Sequence, residues 1–297
     1  MIQFNSISPI DGEEPKQPTS LWSIFIGFLV VVLLALLLQR GLLSLFKFMQ
    51  HHFNGFLLQL VAPEVFISGV SFLSATCFFT YFIEKSPLQS LGFRFFSQKG
   101  LYLKGWLIGI ALITLVYGLN SLLANINCYW NGWDTLTMGS YFMAFAFQGL
   151  GEEVLCRGYL MNRLCHHLTL LWGIILNSFL FSLLHWLNPS ISALSLLNIF
   201  LAGVFFSTLF YRYESIWLVS SLHSAWNFML GPVLGVPVSG IRLPHTWLVT
   251  YLPNESLVWH GGYFGFEGGV VVTFILSIGI IWELFYIRKF LMKKPHL

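Results

Sequence analysis

Apolar runs of bilayer length recur along this chain, and they restrict it to one class of architecture. About 20 apolar residues are needed to cross a bilayer as a helix. Eight stretches come near that length, at residues 21–39, 65–83, 105–123, 140–164, 169–187, 194–211, 215–230 and 270–287. Only 9% of residues are charged and 56% are hydrophobic, whereas soluble domains carry roughly 25% charged residues. That leaves too little charge to cover a water-facing surface. The expected fold is all-α, a polytopic transmembrane helix bundle of about eight spans.

The segments between the runs suggest an organisation. Residues 1–20 are a polar N-terminal segment without the basic start or small-residue cleavage site of a secretory signal. Residues 21–83 form an N-terminal transmembrane and interfacial region. Its stretch 41–62 carries Lys47, His51 and His52 on an otherwise apolar segment and is expected to lie in the interface. Residues 84–230 form the core, 231–268 a Gly/Pro-rich loop, and 269–297 a last span with a basic tail. Ser90, Leu91, Gly92, Phe93 and Arg94 read as a compact, turn-rich link. Gly105 and Gly109 form a GxxxG pattern that favours close helix approach. The cysteines Cys77, Cys128, Cys156 and Cys165 show no paired spacing, and read as buried free thiols.

Basic residues orient the bundle. With eight spans, the side holding both termini receives Lys16, Lys85, Arg94, Lys99, Lys104, Arg163, Arg212, Arg288, Lys289, Lys293 and Lys294. The other side receives Arg40, Lys47 and Arg242. Positive charge collects on the cytoplasmic side, so both termini are expected there. The polar N-terminus and the lack of an organellar signal point to a bacterial inner membrane. A net charge of +3 gives no case for nucleic acid, the lipid bilayer is the evident partner, and no oligomeric state follows from the pattern.

Three spans carry polar groups that an apolar helix does not need. Glu152, Glu153 and Arg157 share one of them. His185 closes the next, with Phe181 one turn before it. His223 and Asn227 sit four residues apart on a later one, on a common helical face. Glu153 and Arg157 have the same spacing and can pair, while Glu152 is turned about 100° away from that arginine. Taken singly, each set has a plain structural reading: a packing ion pair, an interior histidine, a carboxamide joining helices. Ionisable groups at membrane depth are costly, however, and are by default a hypothesis of function.

Together they supply the parts of amide hydrolysis, which needs an activated water and a stabilised oxyanion. Glu152 is the candidate general base, and His185 can hold and polarise the same water. His223 and Asn227 can donate to the oxyanion. Glu153 and Arg157 would support them by fixing the helix and the orientation of Glu152.

The order EExxxR, FxxxH, HxxxN resembles that of the CAAX prenyl endopeptidases and bacteriocin-processing enzymes, the Abi family. Here the motifs are Glu152 to Arg157, Phe181 to His185, and His223 to Asn227, and the resemblance covers roughly residues 85–230. It implies an intramembrane endopeptidase acting on a membrane-associated or lipidated protein or peptide. It also implies that Glu152 and His185 activate water and that His223 and Asn227 stabilise the oxyanion. Cys156 departs from the family pattern, which often has an aromatic residue there.

Other chemistries compete. Glu152, His185 and His223 would make a His2Glu zinc site, but the HExxH signature is absent and the metal-free reading, with no cofactor, is preferred. No GxSxG elbow supports a serine mechanism. Asp11 and Asp134, the two aspartates, lie outside the spans. The rival from another class is a non-catalytic membrane protein such as a bacteriocin-immunity factor, scaffold or transporter subunit. A proton relay built from acid and histidine has no need of an asparagine one turn from the histidine. His185 falls nearer the non-cytoplasmic end of its helix, which suggests substrate access from that side.

Overall fold

The computed structural model describes residues 20–52, 62–93, 99–132 and 134–293. The polar N-terminal segment, residues 53–61 of the interfacial stretch, Arg94 and Lys294 lie outside the described residues. The principal helices are α1 (Leu21–His52), α2 (Pro63–Phe78), α3 (Lys99–Ala124), α4 (Thr135–Glu153), α5 (Asn162–His167), α6 (Leu170–Leu184), α7 (Ala193–Tyr213) and α8 (Ile216–Phe228). A one-turn α9 (Leu257–His260) precedes α10 (Val270–Lys293). Each of the eight apolar stretches is helical, and the chain is a helical membrane bundle. Among the described residues, five helical segments are long and apolar enough to cross a bilayer: Leu21–His52, Pro63–Ile83, Gly100–Ala124, Ala193–Tyr213 and Val270–Lys289. The apolar α6 is shorter, and the two remaining rods carry polar motifs.

Three features differ from the sequence-based expectation. First, residues 41–52 are no separate interfacial element but the last turns of α1, a helix of 32 residues. At 1.5 Å per residue it is about 48 Å long, so one end must leave a hydrocarbon core of about 30 Å. Second, the Gly/Pro-rich loop and the link between the third and fourth apolar runs each contribute a strand. β1 (Asn127–Trp130) pairs antiparallel with β2 (Leu248–Tyr251), with Cys128 opposite Thr250. The ribbon ties the α3–α4 connection to the long segment before α10. Third, one cysteine is not buried. All four are free; Cys156 and Cys165 are buried, Cys77 is half-buried, and Cys128 is exposed on β1.

Hydrophobic burial cannot drive helices together in lipid, so close van der Waals packing must do it. The GxxxG pair shows how. A Cβ added to Gly109 would stand 2.7 Å from both the Leu222 carbonyl oxygen and the Ala225 Cβ. One added to Gly105 would overlap the Leu218 carbonyl and the Ser221 hydroxyl. Hydrogen atoms at these two positions let α3 lie against α8, the helix of the third motif. Outward faces stay apolar: Leu29, Leu33 and Leu37 on α1, and Phe274, Ile278 and Ile281 on α10, are exposed. Such surfaces are at home in lipid, not water.

Ion pairs fasten one end of the bundle. Arg163, at the end of the motif rod, bonds Glu84 at 2.9 Å, and Tyr159 donates to the same carboxylate at 2.9 Å. Asn162 reaches the Ser90 carbonyl at 2.8 Å. The link through Gly92, with its φ of 88°, is therefore strapped to the rod. Arg212 of α7 pairs with Glu283 of α10 at 2.9 Å.

Candidate active site

The first motif sits on a helical rod spanning residues 135–167. Asp134 starts it by accepting hydrogen bonds from the backbone N–H groups of Leu136 and Thr137 at 3.2 and 3.1 Å, which satisfies two orphan donors of the first turn. The Thr137 hydroxyl also bonds this carboxylate and, with those N–H groups, holds it below the usual carboxylate range. The rod is α-helical through Glu153, then π-helical from Val154 to Met161. A second π-helical stretch, Met229–Val233, follows Asn227 closely and absorbs Pro232. Such widened turns recur at functional sites, where they re-aim side chains.

Glu153 and Arg157 pair as their spacing predicts, at 2.9 Å, with both side chains fully buried. The guanidinium has further partners. It lies 4.5 Å from the Phe181 ring centre and 5.4 Å from that of Phe206, and donates to the Gly203 carbonyl at 3.2 Å. The charge is thus held between aromatic faces of α6 and α7, a favourable arrangement when desolvated. One arginine thereby joins three helices.

The same Glu153 oxygen takes a second hydrogen bond, from His223 Nδ1 of α8 at 2.9 Å. This bond to α8 is additional to the Arg157 pairing that the spacing predicts. It also limits His223. With Nδ1–H committed to a carboxylate, Nε2 donates only when the ring is protonated; in the neutral ring it is an acceptor. His223 packs on the Phe206 ring at 5.3 Å and is buried.

His185 occupies the residue that ends α6, at φ −96° and ψ 0°, in the sparsely populated bridge region. Its Nδ1 lies 2.9 Å from the Phe181 carbonyl. A carbonyl only accepts, so Nδ1 carries the proton and Nε2 keeps its lone pair. Phe181 therefore has two tasks: its carbonyl sets the tautomer of His185, and its ring covers Arg157.

Glu152 points away from Arg157, as helical geometry requires. Its Oε1 is bonded by Gln148 Nε2 at 2.5 Å, whereas Oε2 is buried without a partner among the described residues. Gln148 in turn accepts from Asn227 Nδ2 at 2.9 Å. Sequence reasoning missed Gln148, although a signal existed: it lies one turn before Glu152 in an apolar run. Glu152, His185, His223, Asn227 and Gln148 all line one cavity of about 870 Å³. Cys156 lines it too. Its lining extends to the segment Val238–Pro244, including Arg242, and to Gln39 and Glu64.

Among the described residues, no three His, Cys, Asp or Glu side chains gather closely enough to hold one metal ion. Glu152, His185 and His223 face the same cavity without forming such a set.

Residues 133–229 match the family model described as type II CAAX prenyl endopeptidase Rce1-like. No match to a curated protein accompanies it. The matched segment contains all three motifs. Over this segment the chain is similar to the Rce1-like type II CAAX prenyl endopeptidases.

Proposed function

We propose that the chain is a metal-free endopeptidase of the membrane interior, cutting a peptide bond in a membrane-associated or lipidated protein or peptide. One observation carries this reading. Glu152, with one carboxylate oxygen unpartnered among the described residues, and His185, with Nδ1 turned to the Phe181 carbonyl, line a single cavity of about 870 Å³ with His223 and Asn227. Glu152 takes a proton from water as that water attacks the scissile carbonyl, and the lone pair of His185 Nε2 orients the same water. The oxyanion accepts from the second N–H of Asn227 and from Nε2–H of an imidazolium His223, for which the Glu153 carboxylate is counter-ion. Glu152 then returns its proton to the leaving amine as the C–N bond breaks. Val32, Leu36, Val65 and Phe72, from α1 and α2, line the apolar part of the cavity and suit the apolar portion of a lipid-bound substrate.

The test is cleavage by the detergent-purified protein of a lipidated C-terminal peptide and a panel of membrane-precursor peptides, with and without a strong zinc chelator. Cleavage indifferent to the chelator is expected. Cleavage lost on chelation and restored by zinc would overturn the metal-free reading. Asn227→Ala is expected to lower kcat about a hundredfold, the usual scale for one oxyanion donor; an unchanged rate would remove Asn227 from the site.

The same proposal sets both termini in the cytoplasm of a bacterium, with the Val238–Pro244 end of the cavity facing out. Cys128 lies at that end and is the one exposed cysteine of the four. A membrane-impermeant thiol reagent should label it in intact spheroplasts nearly as fully as in broken membranes. Labelling confined to broken membranes would invert the topology.

A further inference from the structure

We propose that Gln148 is a positioning residue that sets the orientation of both Glu152 and Asn227, a role that rests on the peptidase reading above. Its carboxamide lies between them, donating from Nε2 to Glu152 Oε1 at 2.5 Å and accepting at Oε1 from Asn227 Nδ2 at 2.9 Å. The first contact stays within α4; the second crosses to α8, 79 residues away.

Charge gives this chain of bonds its direction. A primary amide can turn over and exchange its donor and acceptor ends, so neither Gln148 nor Asn227 has a preferred orientation by itself. An ionised carboxylate only accepts. Glu152, in the form that can take a proton from water, therefore draws the NH2 end of Gln148 toward itself. The Gln148 carbonyl must then face Asn227, and it too only accepts. Asn227 has to answer with its NH2 group. One negative charge fixes two amides on two helices.

Both results serve the reaction. Oε1 of Glu152 is occupied, so Oε2, which has no partner among the described residues, is the oxygen whose lone pairs are uncommitted. Asn227 spends one N–H on Gln148 and keeps the second for the cavity. Turned over, Asn227 would present its carbonyl oxygen and repel an oxyanion. The neighbouring ion pair does not do this task, because Glu153 bonds Arg157 and His223 instead. One turn of small residues lies beside Gln148 where α4 meets α8: a Cβ on Gly149 would lie 2.9 Å from the Ser224 backbone nitrogen. The side chain must also be long and uncharged. Asparagine is a methylene shorter, and glutamate would set a like charge against Glu152.

The test is a double-mutant cycle in kcat, run on the purified full chain with the peptide that wild type cleaves, alongside the thermal midpoint of each variant. Gln148→Leu keeps the bulk and removes both hydrogen bonds. Gln148→Met is made with it, and whichever holds the wild-type midpoint is carried into the cycle. The expected fall in kcat is about a hundredfold, the scale of a misplaced reacting group, with KM within about twofold. In an Asn227→Ala background the same change should cost at least about tenfold less, because the residue it positions is gone. Falls that simply multiply would show Gln148 acting independently of Asn227 and would overturn the proposal. So would an unchanged kcat, or a loss confined to KM. Cleavage that requires Glu152 but ignores Gln148 sinks this proposal alone. Cleavage that survives Glu152→Gln sinks the peptidase reading, and this proposal with it.

Discussion

Glu152→Gln is expected to abolish cleavage while leaving the folded protein intact. Glutamine cannot take the proton from water, and general-base catalysis contributes about 10²- to 10⁴-fold. The fold should not suffer, because a carboxamide at this position can still offer an oxygen to the Gln148 N–H. Glu152 forms no ion pair with Arg157, so no buried cation is stranded. The measurement is the initial rate on the best peptide substrate, beside the thermal midpoint and the yield of extracted protein. A fall below about 1% of wild type at an unchanged midpoint is the expected result on that scale. Retention of full activity would end the assignment of Glu152 as general base.

Arg157→Ala should behave in the opposite way, failing in abundance before it fails in chemistry. Arg157 and Glu153 are both fully buried and pair at 2.9 Å. Removing one member of such a pair costs about 3–5 kcal/mol, because the other charge stays behind uncompensated. The truncation also leaves a gap between the rings of Phe181 and Phe206, which flank the guanidinium at 4.5 and 5.4 Å. His223 is left as the single neighbour bonding Glu153, so the imidazole is disturbed as well. We expect a sharp drop in extractable folded protein and in thermal midpoint. Normal abundance would show that the pair does not hold these helices together. The contrast between the two adjacent acids is therefore measurable: loss at Glu152 is loss of rate, and loss of Glu153's partner is loss of protein.

Whatever depended on spacing along one helix was legible in the chain itself. The bilayer-length runs became helices, because in lipid a helix satisfies its own backbone groups. Glu153 met Arg157 and Glu152 turned away, because positions four apart share a face and adjacent positions do not. His223 and Asn227 reach one cavity for the same reason. Gln148 obeyed the rule too. It escaped notice because attention went to ionisable groups, while a carboxamide in an apolar run also costs free energy unless it is bonded.

What the tertiary structure alone decided lies in contacts between segments far apart in the chain. His223 bonds Glu153 across 70 residues and Asn227 bonds Gln148 across 79. β1 finds β2 through an antiparallel register that joins two apparent loops. Helical periodicity says which side chains share a face but not which face meets another helix. In lipid that choice falls to shape, such as the hydrogen-sized gaps at Gly105 and Gly109, and to the few polar groups that must find one another. The sequence determined the helices and the identity of the reactive groups. The packing decided which atoms of those groups are occupied and which are not: Oε2 of Glu152 has no partner among the described residues. An apolar solvent leaves a buried donor or acceptor no partner except another part of the protein.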